Sequence, residues 1–321
     1  MPDFNLKGAK DKMSLLVVGT MAYDTVKTPF GQRDWALGGS ATYFSVSASF
    51  FTKVNLTAVI GEDFNGGDLS MLEKHGVDLS GVIRAGGKSF HWKGEYGFDL
   101  NEAKTLETHL NVLLDFDPNL PEAYKNSEYV FLANIDPKLQ RKVMDQVKNP
   151  KLIACDTMNY WIQSARDELV KTLARVDILV INEGEARQLA DTHNLVKAAV
   201  VIRGMGVKTL IVKRGEYGAL LFHENEIFAA PAYPLEEVFD PTGAGDTFAG
   251  GFMGHLARLG DGAVTHTRLR QAMIMGSVMA SFTVEKFSVE RLTSLDRKEI
   301  AERFHRFKSL TSFDDISKEL I

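Results

Sequence analysis

Short, almost purely apolar runs recur along the whole chain, at Leu15–Gly19, Leu56–Gly61, Tyr129–Ala133, Leu152–Cys155, Ile178–Ile181 and Thr209–Lys213. Each has the length of a strand, and most are separated by segments with helical periodicity. A strand with one wet face alternates apolar and polar residues. These runs hardly alternate, so both of their faces are expected to be buried. Buried strands alternating with helices predict an α/β chain built on a mainly parallel sheet covered by helices.

Two stretches break this rhythm. Tyr23–Leu37 is rich in polar and turn residues, and Phe90–Tyr96 places Phe90, Trp92 and Tyr96 on one side of a strand. A further alternation is expected to gather Leu110, Val112, Leu114 and Phe116 on one face, opposite Asn111 and Asp115. Together these segments predict a small antiparallel sheet projecting from the core, which in an enzyme would serve as a lid. Ordinary edge strands are the plainer alternative. No internal repeat or long linker divides the 321 residues. The expectation is a flexible leader over 1–13 and one domain over 14–321, with lid segments near 23–37 and 88–116. A helical region including Lys298–Phe307 is expected to close the chain.

Several functional classes are disfavoured at this stage. A formal charge of −5 with no local block of Lys and Arg offers no track for a nucleic-acid backbone. Cys155 is the single cysteine, so no internal disulfide can form, and the eight histidines show no zinc-ligand spacing. No apolar run approaches the roughly 20 residues of a membrane span, and Met1–Met13 lacks a signal-peptide core. A cytoplasmic protein with neither nucleic-acid nor membrane partners is the expectation.

The richest segment chemically is Asp240-Pro241-Thr242-Gly243-Ala244-Gly245-Asp246. Phe248, Phe252 and Leu256 follow at i, i+4 and i+8, which predicts a helix beginning near Gly243 with one buried stripe. The free N–H groups at such a helix start attract anions, and small residues let a phosphoryl group come close. Gly243, Ala244 and Gly245 are therefore candidates for an anion hole, and Asp246 for the base that takes a proton from an attacking hydroxyl. An acidic residue complementing the helix dipole is the alternative. Gly250, Gly251 and Gly254 read as packing positions.

The segment resembles the signature of the ribokinase, or PfkB carbohydrate kinase, family, which ends in D-[TP]-T-G-A-G-D. The resemblance spans roughly Leu15 to Ser288. It implies a ribokinase-like three-layer α/β/α core with a small β-sheet lid, ATP and Mg2+ as cofactors, and Asp246 as the catalytic base. It further implies a monovalent cation such as K+ beside Asp240 and Thr242. Asn182-Glu183-Gly184-Glu185 resembles the family's N-x-x-E element, making Glu185 a candidate organiser of Mg2+ through water and Asn182 a cofactor contact. A helix-capping Asn with a surface Glu is the plain alternative. Lys213, Gly215 and Gly218 fall in the loop that the family places near the nucleotide.

On the acceptor side, Asp24 and the Gly38-Gly39 pair resemble the family's substrate elements, with an amphipathic helix expected from Ser40. A carboxylate accepts two hydroxyl hydrogen bonds at once, which suits a vicinal diol. Where many relatives carry Asn, this chain has Tyr43, so acceptor identity departs from the common pattern. Trp35, Tyr43, Phe90 and Trp92 are aromatic candidates for stacking on a nucleobase. Asn159, after the strand Leu152–Cys155, is a further substrate candidate, because ligands bind beyond the carboxyl ends of strands in open α/β sheets. The expected activity is ATP-dependent phosphorylation of a primary hydroxyl on a sugar or ribonucleoside, with a homodimer through the lid as a candidate assembly. A catalytically silent nucleotide or sugar sensor is the alternative.

Overall fold

The structure, a computed structural model, describes residues 13–260, 264–312 and 314. The leader expected over 1–13 lies outside the described residues apart from Met13. Thirteen strands are described: β1 (Ser14–Val18), β2 (Ala22–Thr28), β3 (Gly31–Gly38), β4 (Lys53–Ile60), β5 (Val77–Arg84), β6 (Phe90–Tyr96), β7 (Ala103–His109), β8 (Tyr129–Leu132), β9 (Leu152–Cys155), β10 (Ile178–Asn182), β11 (Thr209–Lys213), β12 (Ala219–His223) and β13 (Glu226–Ala230). Nine of them form one sheet in the order β13-β12-β11-β10-β9-β8-β1-β4-β5. Every pairing from β5 to β11 is parallel, and only β12 and β13 run against their neighbours.

All six apolar runs are strands of this sheet, for the reason their composition suggested. Leu15 and Val17 belong to one core and Leu16 and Val18 to the other, so successive residues of β1 are buried on opposite faces. The first core is closed by helices Ser40–Ser49, Ala244–Leu259 and His266–Thr283, which contribute Phe44, Phe248, Phe252 and Met273. The second is closed by helices that include Arg166–Leu173, Glu183–Ala190 and Leu195–Arg203, through Leu169, Leu189 and Ile202. The result is the expected three-layer α/β/α arrangement. Phe248 and Phe252 are each almost fully buried, which stabilises the fold by roughly 2–3 kcal/mol per ring.

The helix Ser40–Ser49 departs from its expected amphipathic character, because all ten of its residues are buried. It is wedged between the sheet and the helix Ala244–Leu259, and Ser47 Oγ donates to the Thr247 carbonyl at 2.8 Å. Glycine makes this approach feasible: a Cβ on Gly254 would stand 3.0 Å from Ala48 Cα, and one on Gly250 would overlap the Phe44 carbonyl.

The second sheet has the order β3-β2-β6-β7. Its strands come from two excursions, between β1 and the helix Ser40–Ser49 and between β5 and β8. It is mixed rather than purely antiparallel, since β2 pairs parallel with β6. The expected strand face of Leu110, Val112, Leu114 and Phe116 is not formed. Asn111–Asp115 is a 3-10 helix that buries Val112 and Phe116 while Leu110 and Leu114 stay exposed. Period-2 spacing also satisfies an i, i+4 pair, so the sequence pattern could not separate the two. The expected terminal helix is present as Arg297–Thr311. Among the described residues, no helix is long and apolar enough to cross a membrane.

Candidate active site

Parallel strands deliver their last residues to one edge of the sheet, and the charged groups collect there. Asp156 follows β9, Asn182 ends β10 and Lys213 ends β11. Asp246 joins them from the first turn of helix Ala244–Leu259. Lys213 Nζ lies 3.5 Å from Asp156 Oδ2 and 2.7 Å from where a Cβ would stand on Gly245, so the ammonium covers the opening of the helix. Burial works against the charge of Lys213, but Asp156, Glu185 and Asp246 outweigh it and hold the ammonium above its usual range. Burial, then Asp156, pushes Asp246 up to about 7 against the pull of Lys213. The same two causes push Glu185 up to about 7. Three carboxylates thus share one ammonium, a charge deficit and oxygen-donor set that suit Mg2+.

Gly243 caps the helix with φ 74 and offers no side chain to its free amides. A Cβ there would overlap Cγ, Cδ2 and Cε2 of Tyr43, so the ring lies directly against the turn. Gly243, Ala244, Gly245 and Asp246 are half-buried, whereas Thr247 to Gly254 are buried without a break. The opening turn is thus more accessible than the run of helix that follows it. Asp240, itself buried, shapes this turn by accepting from Thr242 N–H at 2.9 Å and Ser288 N–H at 3.3 Å. Thr242 Oγ1 in turn reaches the Tyr96 hydroxyl of β6 at 3.3 Å, tying the loop to the small sheet.

Asp24 enters from β2, and a Cβ on Gly38 would overlap its carboxyl group, so the glycine makes room for the acid. Burial, then Asp240, pushes Asp24 up to about 8, while a hydrogen bond from the Gly39 amide opposes the shift. The Tyr43 hydroxyl is pushed up by burial and by the nearby Asp240 and Asp24. Asp24, Gly38, Gly39, Tyr43, Gly243 and Asp246 therefore form one constellation.

Beside it, starting at the neighbours Tyr23 and Leu37, lies a cavity of about 590 Å3 lined also by Trp35, Asp63, Asn65, Asp68 and Lys88. Trp35 holds a left-handed backbone at φ 52, where the β2–β3 register shifts between Asp24 and Val26. This bulge aims the ring into the cavity while its other side stacks on His91 at 4.2 Å. Tyr43 and Trp92 take other roles. Tyr43 packs on Gly243, and the Trp92 ring lies over Gly94, with its indole N–H donating to Thr105.

The nucleotide side is partly structural. Asn182 and Glu185 form a reciprocal capping box, each side chain accepting from the other's amide at 2.8 Å. Glu185 thus combines the cap with a place in the charged cluster. Gly218 stands at φ 83, where a side chain would strike the Ala230 carbonyl. Gly215 is covered by Asn101 from the β6–β7 turn, whose amide donates to Glu216 at 3.1 Å. The small sheet consequently spans the cleft from Thr242 to Glu216. Asn159 is exposed and, among the described residues, accepts only its neighbour's amide, Tyr160 N–H, at 2.9 Å. Asp156, three residues earlier, is the member of that loop that enters the cluster. It could have been found as the first polar residue after a buried strand, whereas no sequence signal marked Asp63, Asn65, Asp68 and Lys88.

Comparison with known proteins places these features in context. The sequence profile described as pfkB family carbohydrate kinase matches residues 17–294. A cytidine kinase of Thermococcus kodakarensis is 32% identical over 251 residues, covering 77% of this chain and 89% of the relative. The Burkholderia thailandensis nucleoside kinase in complex with inosine superposes with a TM-score of 0.74 at 20% identity, covering 91% of this chain and 97% of the other. An E. coli structure assigned as a ribokinase II and holding ATP and Mg2+ gives a TM-score of 0.73 at 21% identity, covering 92% of this chain and 99% of the other.

Proposed function

Because this chain belongs to the pfkB family of carbohydrate kinases, we propose that it transfers the γ-phosphate of ATP to the primary hydroxyl of a ribonucleoside, with cytidine the preferred acceptor. The observation that carries this reading is the cavity beside Asp24. It joins an open aromatic face, Trp35, to polar groups of both signs, Asp63, Asn65, Asp68 and Lys88. A sugar alone needs no such wall, whereas a nucleobase needs a flat surface for its ring and partners for its edge.

The edge chemistry favours an amino-bearing base. One oxygen of Asp63 already accepts from Ser89, and one oxygen of Asp68 from the Tyr23 hydroxyl. Each carboxylate keeps a second oxygen for an exocyclic amine, while the Asn65 amide and Lys88 ammonium supply donors for ring nitrogen or carbonyl. Uracil would turn a carbonyl where cytosine offers an amine. The identity to a cytidine kinase supports the same choice.

In the reaction, Asp24 orients the ribose hydroxyls and the amides of Gly243, Ala244 and Gly245 hold the transferring phosphoryl group. Lys213, already poised over Gly245, offsets its charge. Asp246 takes the proton of the attacking hydroxyl, a task suited to a carboxyl group held at about 7. Glu185 and Asp156 are the residues that would hold Mg2+, directly or through water, where it would supply positive charge to offset that of the nucleotide phosphates. The small sheet acts as a lid that keeps water from the phosphoryl group.

ADP release measured with cytidine, uridine, adenosine, inosine and ribose tests the assignment. Cytidine is expected to exceed uridine in kcat/KM by at least ~10-fold and ribose by more, since a site built to pair polar groups penalises an acceptor that leaves them unpaired. Ribose turning over as well as any nucleoside would overturn it.

A further inference from the structure

The opposite edge of the sheet, where β11 begins, holds a second cluster that the kinase chemistry does not use. β12 runs away from the cleft, and its register places His223 opposite Thr209, four residues back from Lys213 along β11. At about 3.3 Å per residue, that is ~13 Å from the charged cluster. The turn from β12 to β13 carries Glu224, and the helix His266–Thr283 begins beside it. One ligand atom each from His223, Glu224 and His266 lie within 4.8 Å of one another.

Two imidazoles and one carboxylate converge here, with the Glu224 carboxylate open to solvent. His266 Nε2 is 3.0 Å from Glu224 Oε2. The two imidazoles meet edge to face with centroids 4.8 Å apart and no mutual hydrogen bond. Thr209 Oγ1 holds the Nδ1 of His223 at 2.8 Å, whereas the Nδ1 of His266 lies 3.2 Å from Glu226 Oε2 without a hydrogen bond. Arg270 steadies Glu226 in turn. For His223 this leaves Nε2 for a ligand, the pattern by which an outer shell fixes metal-binding histidines, and Nε2 of His266 faces the Glu224 carboxylate. Glu224 reaches the site from a left-handed backbone, φ 48, where a turn would ordinarily use Gly or Asn.

We propose that His223, Glu224 and His266 form a site for a divalent transition metal, Zn2+ foremost, that fastens the β12–β13 turn to the start of helix His266–Thr283. Two imidazoles and one carboxylate suit Zn2+ and disfavour Mg2+, and leave a fourth position for water. Tetrahedral ligands at about 2.1 Å from the ion stand about 3.4 Å apart, so the ligand atoms, now within 4.8 Å of one another, would draw together on binding. The site is separate from the one offered to Mg2+ at Glu185.

The test uses the full chain, stripped with a chelator and titrated with Zn2+ or Co2+. One equivalent is expected to bind with micromolar or tighter affinity, to raise the melting temperature and, as Co2+, to give a tetrahedral absorption spectrum. His223→Gln, Glu224→Gln and His266→Gln are each expected to weaken binding by at least ~10-fold while Mg-ATP turnover stays unchanged. X-ray absorption on the wild-type zinc complex provides a readout independent of the variants, with two imidazoles expected in the first shell. Binding weaker than millimolar, binding that survives in the His223→Gln/His266→Gln double variant, or a first shell without imidazole would each overturn the proposal.

Discussion

Replacing Gly243 by Ala tests the architecture of the opening turn. The residue sits at φ 74, and placing an L side chain in the left-handed region costs ~1–2 kcal/mol. The added methyl would also overlap the Tyr43 ring, and relieving such overpacking costs a further ~1–3 kcal/mol. The expected loss is therefore ~2–5 kcal/mol, read as a lower urea midpoint with an unchanged slope. The two contributions separate in a double-mutant cycle. In a Tyr43→Ala background the same change should cost only the ~1–2 kcal/mol of backbone strain. Turnover should fall ~10²–10³-fold in the single variant, because the amides of Ala244 and Gly245 shift from where the phosphoryl charge develops. A Gly243→Ala protein with native stability and turnover, or a cycle with no coupling to Tyr43, would refute the reasoning.

Glu185→Gln retains an acceptor for the Asn182 amide and so preserves the cap, while removing one charge from the cluster; the Mg2+ titration of turnover should shift to higher concentration. Trp35→Ala should raise KM for nucleosides ~5–100-fold, the worth of one stacked base, with little effect on any residual turnover of ribose. Stability of the ligand-free protein should fall between about pH 4 and pH 8, because Asp24, Asp246 and Glu185 are held at about 8, 7 and 7 when folded. The folded chain keeps protons there that the unfolded chain has released, which makes unfolding easier as pH rises. A melting temperature that stays level or climbs across that window would contradict the crowded-carboxylate picture.

How far the sequence could be read depended on whether one segment's pattern carried the information. The core strands were legible because a run buried on both faces leaves no polar residue to confuse the period, as β1 illustrates. The start of helix Ala244–Leu259 was legible because Gly243 and the Phe248, Phe252, Leu256 stripe mark it locally. The serines of helix Ser40–Ser49 give its sequence an amphipathic pattern, although their small hydroxyls are buried, with Ser47 donating to a neighbouring backbone. Asp156 was partly legible as the first polar residue after a buried strand, but its partner Lys213 comes from a different strand, which no local pattern reveals. Likewise the cavity wall from Asp63 to Lys88 exists only once the small sheet folds over the core.

Single-turnover phosphoryl transfer in Asp246→Asn, with Mg-ATP and cytidine both saturating, examines the chemical step alone. The variant should bind both substrates within a few-fold of wild type yet transfer phosphate ~10²–10⁴-fold more slowly. It should also be at least as stable at pH 8, because the substitution removes a charge that burial disfavours. Transfer at the wild-type rate from fully bound substrates would show that Asp246 is not the base.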